Sequence, residues 1–215
     1  MLPLVLAITT QRMVGVLLSV VLVVMLLGVV KAKHVFDLQR RTESDKAGER
    51  GEQLATELIT GVLRPDDRLF SNLVVNYQGK RTELDNVVVN SSGVFIIEVK
   101  NHSGRLEGNI GDYEWTKYHT SAAGLTYTKT VKNPIKQVKR QIFILAGYLR
   151  ESDINVYIRG YALFLQQNCP VEDECVLESA EDVDNAIHVH VKKPMDPAKQ
   201  AAICDCLDQL PPLVF

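Results

Sequence analysis

The chain has 215 residues, 46% of them hydrophobic and 23% charged, and a formal net charge of −2. This is the composition of one globular domain plus an additional segment rather than of a disordered chain. The four cysteines, at positions 169, 175, 204 and 206, are spaced C-x5-C and C-x-C. These spacings fit neither a zinc ribbon nor a thioredoxin-type motif, so we expect reduced cysteines without a metal.

The additional segment lies at the start of the chain. Residues 13–30, MVGVLLSVVLVVMLLGVV, contain no charged residue and as a helix would extend about 27 Å, close to the hydrocarbon thickness of a bilayer. We therefore expect residues 1–41 to form a membrane anchor and a basic juxtamembrane linker. A cleaved signal peptide is the alternative, because Val30–Ala32 has residues small enough for a cleavage site.

The flanking charges predict the orientation of this span. Only Arg12 precedes it, whereas four basic residues follow it, namely Lys31, Lys33, Arg40 and Arg41. An excess of basic residues tends to stay in the cytoplasm. We expect a single-pass membrane protein with the lipid bilayer as a partner and its domain in the cytoplasm; an envelope protein whose domain faces outward is the less favoured reading.

An amphipathic helix is predicted next, beginning between Ser44 and Gly51, with Glu49 and Glu52 near its start, where carboxylates favour the helix dipole. Three β-rich runs follow at 68–76, 82–90 and 93–100. The turns between them, YQGK and SSG, are too short for helical crossovers. We expect an antiparallel meander.

The second half alternates helices and strands. Residues 101–131 predict one or two further hairpins, NPIKQVKRQIFILAGYLRES predicts a helix with Pro134 in its first turn, and NVYIRGYALFL predicts a buried strand. A short helix after Ser179, a short strand around His188 and a closing helix capped by Asp196 complete the prediction. This order describes one α/β domain with a mixed sheet.

Charged residues within the second and third runs are unusual for a sheet core. Side chains alternate along a strand, so Glu98 and Lys100 share one face. If Asp85 faces the same side, two carboxylates and an ammonium converge, an arrangement suited to binding Mg²⁺ and to hydrolysing phosphodiesters. A structural ion pair that protects a sheet end is the alternative.

Charge is unevenly distributed along the chain. Residues 99–150 carry a net +6 between segments of −4 (42–98) and −8 (151–215). The basic residues at the centre of this segment either form the solvated face of a helix or bind phosphates; they are Lys129, Lys132, Lys136, Lys139 and Arg140. Tyr113 and Trp115 are candidates for base stacking, although core packing is the more ordinary role for both.

Several motifs in order resemble one known family. ELDNVVVNSSGVFIIEVKN, residues 83–101, resembles the core of the nuclease-related domain (NERD) family, whose pattern is an Asp, a short turn and GVFVIEVKN. AGERGE at 47–52 is similar to its GExGE helix start, Gly104 and Trp115 match single positions, and NPIKQV at 133–138 is similar to its NPxxQ.

The resemblance implies a place in the PD-(D/E)xK superfamily, and hence a restriction-endonuclease-like core: a mixed sheet flanked by helices, here behind the N-terminal transmembrane helix. It implies that Asp85 and Glu98 bind Mg²⁺ or Mn²⁺, that Lys100 orients or deprotonates the attacking water, and that Glu52 and Gln137 complete the site. The predicted core spans 42–165, and residues 166–215 form a C-terminal extension packed on it.

The function expected from these residues and this resemblance is metal-dependent hydrolysis of nucleic-acid phosphodiesters at a membrane, with DNA favoured over RNA. The alternative is a tethered nucleic-acid-binding or scaffolding module in which the motif survives as a determinant of the fold. Binding without metal-dependent cleavage would favour that alternative.

Overall fold

The computed structural model describes residues 48–120 and 124–211, together with Met25 and Lys31. The predicted span at 13–30 and the basic linker up to residue 41 therefore lie outside the described residues, apart from those two positions. No helix within the described residues is both long enough and apolar enough to cross a membrane.

The described residues form four helices and eight strands. The first half contains α1 (48–62), β1 (Arg68–Tyr77), β2 (Lys80–Asn90), β3 (Gly93–Lys100), β4 (Leu106–Glu107), β5 (Glu114–Thr120) and β6 (Thr126–Lys132). The second half contains α2 (Pro134–Glu151), β7 (Ile158–Phe164), β8 (Val176–Leu177), α3 (Ala180–Ile187) and α4 (Pro197–Asp208).

The larger sheet has the strand order β1-β2-β3-β7-β8. β1, β2 and β3 pair antiparallel, which confirms the predicted meander, whereas β3 with β7 and β7 with β8 pair parallel. Parallel neighbours require a long connection, and the segment that holds the smaller sheet and α2 supplies it between β3 and β7. The predicted mixed α/β sheet flanked by helices is thus confirmed.

β3 is buried along nearly its whole length because apolar residues cover both faces of the sheet. Val94 and Ile96 point toward a cluster that includes α2 and α4 residues, whereas Phe95, Ile97 and Val99 point toward a cluster with α1 and α3 residues. Each fully buried aliphatic side chain stabilises the fold by roughly 1.5–3 kcal/mol. The same alternation turns Glu98 and Lys100 toward α2.

A smaller sheet, β4-β5-β6, confirms the hairpin that the sequence predicts between β3 and α2. Trp115 of β5 is 1% exposed and stacks on Phe164 with ring centroids 6.2 Å apart. Gly108 permits this packing, because a Cβ there would lie 2.0 Å from the Trp115 ring. At Gly104, φ is +89° and a Cβ would lie 2.2 Å from the Tyr118 carbonyl oxygen, so glycine is required there too.

The C-terminal part contains the predicted short helix after Ser179, which is its N-cap, and the predicted closing helix capped by Asp196. The strand predicted around His188 is wrong, because that residue is the C-cap of α3. Apolar alternation at 187–191 mimics a strand, but Ile187 closes the helix and packs against the α1 face of the sheet. β8 adds a fifth strand to the sheet.

The His188 side chain is only 5% exposed and lies between the carboxylates of Asp67 and Asp184. Its Nε2 is 2.8 Å from Asp67 Oδ2 and its Nδ1 is 2.5 Å from Asp184 Oδ1. Asp67 also accepts a hydrogen bond from the Arg64 backbone N–H at 2.7 Å. Nearby, Asn90 Nδ2 donates to the Ile187 carbonyl at 3.0 Å. These contacts tie the end of α3 to the loop before β1 and to the β2–β3 turn.

Candidate active site

Glu98 lies at the centre of the candidate site and is only 3% exposed. Its Oε1 accepts hydrogen bonds from Lys100 Nζ and Gln137 Nε2, both at 2.5 Å. Its Oε2 accepts one from Gln141 Nε2, also at 2.5 Å. A buried carboxylate is very costly unless it is paired and hydrogen-bonded, and these three donors, one of them charged, remove most of that cost.

The two glutamines lie on one face of α2, since residues four apart on a helix are neighbours. Asn133 begins this helix by accepting a hydrogen bond from the Ile135 N–H, with Pro134 in the first turn. Gln141 Nε2 also donates to the Glu83 carbonyl at 2.9 Å, so two acceptors fix its amide orientation. The sequence analysis missed Gln141, although its i, i+4 spacing from Gln137 is a signal that identifies it.

Asp85 lies on β2 beside Glu98. Continuing the β2–β3 register by one pair beyond Asn86 and Ile97 places Asp85 opposite Glu98. The Asp85 Oδ2 accepts a hydrogen bond from the Val99 N–H at 2.7 Å. Burial, and then the charge of Glu98, raise the pKa of Asp85 to about 7. Two carboxylates therefore crowd each other at this point of the sheet.

Glu52 approaches the same site from α1. Burial raises its pKa, and the charge of Glu98 raises it further. The preceding Gly51 explains the approach: a Cβ there would lie 2.6 Å from the Asn101 Cβ, so only glycine lets α1 come so close to the end of β3. The structure thus brings Asp85 and Glu98 together with Glu52 within electrostatic reach.

A cleft of about 1120 Å³ opens beside these side chains. Asp85, Glu98 and Gln137 line one part of it. Around them lie basic, acidic, polar and aromatic residues from four elements and the loops beside them, namely Arg81, Thr82, Glu83, Tyr113, Glu114, Lys132, Asn133, Lys136 and Arg140. The cleft therefore joins a carboxylate centre to a largely basic wall.

The predicted phosphate-binding residues separate into two groups. Lys132, Lys136 and Arg140 line the cleft. Lys129 does not: it lies on β6 opposite Lys117. Lys139 also lies outside the lining residues.

Two further side chains that the sequence analysis did not select, His102 and Arg81, lie near the site. Burial, followed by the charges of Lys100, Lys117 and Lys129, lowers the pKa of His102 to about 4, which indicates an electropositive region next to β3. Arg81 lines the cleft, and its carbonyl accepts a hydrogen bond from Arg140 Nη2 at 2.9 Å. The sequence analysis missed Arg81, which lies in the acidic segment of the chain.

The residues present fit a hard divalent cation. No group of three or more His, Cys, Asp or Glu side chains among the described residues is arranged to hold a metal. Mg²⁺, however, is commonly held by one or two carboxylates together with water. Asp85 Oδ1 has no hydrogen-bond donor within the described part of the chain, and Glu98 Oε2 has a single donor. A cation shared by this pair would offset both the burial and the repulsion by Glu98 that raise the pKa of Asp85.

One known protein family matches the part of the chain that contains the candidate site. The sequence model of the nuclease-related domain, NERD, matches residues 47–165, which include Glu52, Asp85, Glu98, Lys100 and Gln137. Searches of curated proteins and of solved structures found no match. The matched region covers more than half of the chain and is consistent with the PD-(D/E)xK superfamily. The chain belongs to the nuclease-related domain family, which suggests a nuclease-like function.

Proposed function

We propose that this protein is a membrane-anchored nuclease that hydrolyses nucleic-acid phosphodiester bonds with Mg²⁺ or Mn²⁺, with DNA favoured over RNA. One observation carries the proposal: two neighbouring carboxylates, Asp85 and Glu98, line a cleft that four basic side chains also line, and Lys100, which is not itself a lining residue, donates a hydrogen bond to Glu98. A sheet-end ion pair needs only one carboxylate and no cleft. The raised pKa of Asp85 marks an arrangement that costs stability unless a cation is bound.

Asp85 and Glu98 are the residues that would hold the metal, and Gln137 and Gln141 keep the Glu98 carboxylate in one orientation. When bound, the cation would neutralise charge on the attacked phosphate. Lys100 donates to Glu98 and to Gln137, the latter at 3.3 Å. An ammonium has three donors, so one N–H remains to orient the attacking water.

The reaction forms a bond between water oxygen and phosphorus and breaks the bond to the leaving sugar oxygen, which takes up a proton. Lys132, Lys136 and Arg140 support the proposal because they place positive charge along the cleft, where they would contact phosphates of the bound strand. Such contacts position a strand without reading its sequence.

The test is a cleavage assay with the full-length chain. End-labelled DNA and RNA are incubated with Mg²⁺ or Mn²⁺, and with EDTA as the control, for the wild type and for Asp85→Asn. We expect cleavage that EDTA abolishes and that the variant lacks. Tight binding without any metal-dependent cleavage would instead support the binding or scaffolding module.

The membrane anchor is the second part of the proposal, supported by the uncharged run at 13–30 and the basic residues after it. Cys169 and Cys175 are poor reporters of orientation, because burial raises the pKa of both thiols, and burial together with Asp173 raises that of Cys175 to about 12. A cysteine introduced at the exposed Lys193 (Lys193→Cys) serves better. We expect an impermeant maleimide to label it only after cell lysis. Labelling of intact cells would show instead that the domain faces outward.

A further inference from the structure

Two aromatic residues only two positions apart have opposite environments. Trp115 is 1% exposed and belongs to the core under the smaller sheet, whereas Tyr113 is 81% exposed. Core packing therefore explains the tryptophan and leaves the tyrosine unexplained. Tyr113 lines the cleft that contains Asp85 and Glu98.

The backbone that carries Tyr113 is held firmly. The Asn133 N–H donates to the Tyr113 carbonyl at 2.9 Å, and Asn133 Nδ2 donates to the Asp112 and Ile110 carbonyls at 2.7 and 3.2 Å. Asn133 itself is 1% exposed and caps α2. The exposed ring thus projects from a support that is tied to the same helix that positions Glu98.

A cation lies beside this ring. Lys136 Nζ is 5.1 Å from the ring centroid of Tyr113, within the range of a cation–π contact. Both residues line the cleft. An aromatic face next to an ammonium matches the two parts of a nucleotide, since the base stacks on the ring and the phosphate meets the charge.

We propose that Tyr113 stacks on an unpaired base next to the scissile phosphate, which makes single-stranded nucleic acid, DNA or RNA, the substrate class of this site. The inference rests on the proposed function for the nature of the ligand. Within a duplex, each base face is covered by its neighbours, and stacking on a protein side chain requires an unstacked base. Duplex substrates would forgo this contact except at frayed ends.

The chain offers a matched control for this tyrosine. Tyr157 is also highly exposed, at 74%, and the Arg159 guanidinium lies 5.2 Å from its ring centroid. It does not line the cleft, and it precedes β7 at the end of the sheet where Ile158 pairs with Val94, six residues along β3 from Lys100. The two tyrosines share exposure and a cationic neighbour but not the site.

The experiment measures binding separately from cleavage. The full-length chain carries Asp85→Asn throughout to prevent hydrolysis, and fluorescence anisotropy reports its affinity for fluorescein-labelled 12-nucleotide single strands, DNA and RNA, and for the corresponding blunt DNA duplex. We expect Tyr113→Ala to weaken single-strand binding about tenfold, Tyr113→Phe to retain it, and Tyr157→Ala to leave it unchanged. Duplex binding should change less than twofold in all variants.

Each failure has its own signature. Unchanged single-strand affinity in Tyr113→Ala, or an equal loss for single strand and duplex, would overturn the stacking role even if the wild type cleaves nucleic acid. Loss of single-strand binding in Tyr113→Ala without any wild-type cleavage would retain the stacking role and reject the nuclease. An effect of Tyr157→Ala equal to that of Tyr113→Ala would also count against the inference, because general surface contact would explain both.

Discussion

Two clusters of polar and acidic side chains lie at opposite ends of the β2–β3 hairpin. Near the turn, the His188 ring lies between Asp67 and Asp184, at 2.8 and 2.5 Å. At the other end, Asp85 and Glu98 lie side by side. Asp85 and the Asn90 turn are separated by about 17 Å of strand at 3.3–3.4 Å per residue.

The two clusters differ in the groups that surround their carboxylates. Around His188, each ring nitrogen lies within hydrogen-bond distance of its own carboxylate, and one of these carboxylates, Asp184, is 46% exposed to solvent. Around Glu98, one ammonium and two amides serve one carboxylate, while Asp85 remains crowded and its pKa rises to about 7. Carboxylates with strongly raised pKa values are concentrated at sites that bind ligands or catalyse reactions. We therefore assign the His188 cluster a structural role and propose the functional role for the cluster of Asp85 and Glu98.

The largest effect should follow from removing the ammonium of the functional cluster. We expect Lys100→Met to reduce the cleavage rate by about 10²–10⁴-fold, because the attacking water loses its orienting group. Glu98 keeps its two amide donors, so the fold should survive. Single-turnover cleavage with labelled DNA measures the rate, and Lys80→Met, an exposed lysine over the Phe143 ring, is the control. A variant that cleaves at the wild-type rate would remove Lys100 from the mechanism.

The crowded carboxylate should reveal itself in the pH dependence of stability. Because the pKa of Asp85 is raised, folding favours its protonated form, so the free energy of unfolding falls as pH rises from about 4 to about 7. Asp85→Asn does not titrate, and its oxygen can still accept from Val99. Its stability relative to wild type should increase by about 2–3 kcal/mol between pH 5 and pH 8 without divalent metal.

Urea unfolding at the two pH values measures this difference. Asp66→Asn, at an exposed position, is the control and should show no comparable change. Equal pH dependence in wild type and Asp85→Asn would mean that neither burial nor the charge of Glu98 raises the pKa of Asp85 in the folded protein.

Gln141 offers a smaller perturbation of the same cluster. Replacing it with leucine removes a donor from Glu98 and from the Glu83 carbonyl. We expect Gln141→Leu to lose about 2 kcal/mol of stability and about 10–100-fold in cleavage rate, as for other residues that orient a metal ligand. Gln53→Leu, an exposed change on α1, is the control for thermal unfolding and activity. Full activity in Gln141→Leu would limit this residue to packing.

The structural cluster should respond in the opposite manner. His188→Gln retains one donor for one of the two aspartates, so we expect a loss of about 1 kcal/mol in stability and an unchanged cleavage rate. His190→Gln, at a nearby exposed residue, should change neither quantity. A marked loss of activity at unchanged stability would show that the two ends of the hairpin are coupled.

Local patterns predict much of this arrangement. Strand alternation places Glu98 and Lys100 on one face, and short turns predict the β1–β2–β3 meander. Helical spacing also predicts which basic residues share a side of α2. Lys136 and Arg140 are four residues apart and lie on the same side. Lys139 is two residues from Gln137 and thus about 200° around the helix from it. That geometry is consistent with the cleft containing the first two and not Lys139.

Contacts between distant segments could not be predicted in this way. His188 and Asp67 are 121 positions apart, and the apolar alternation around His188 favoured a strand until tertiary packing placed it at a helix end. The different environments of Tyr113 and Trp115 likewise depend on distant contacts, since Trp115 stacks on Phe164 and belongs to its apolar cluster, whereas Tyr113 does not. Arg81 reaches the cleft through the β1–β2 register, which its local sequence does not indicate.

Metal binding by the isolated full-length protein tests directly whether Asp85 and Glu98 form a site for a divalent cation. Titration with Mn²⁺, followed by electron paramagnetic resonance, counts bound ions independently of any nucleic acid. We expect one bound Mn²⁺ per chain in wild type and in Lys100→Met, and loss of that site in Asp85→Asn. Wild-type protein that binds no Mn²⁺, or an Asp85→Asn variant that binds it as tightly as wild type, would contradict the proposed metal site at Asp85 and Glu98.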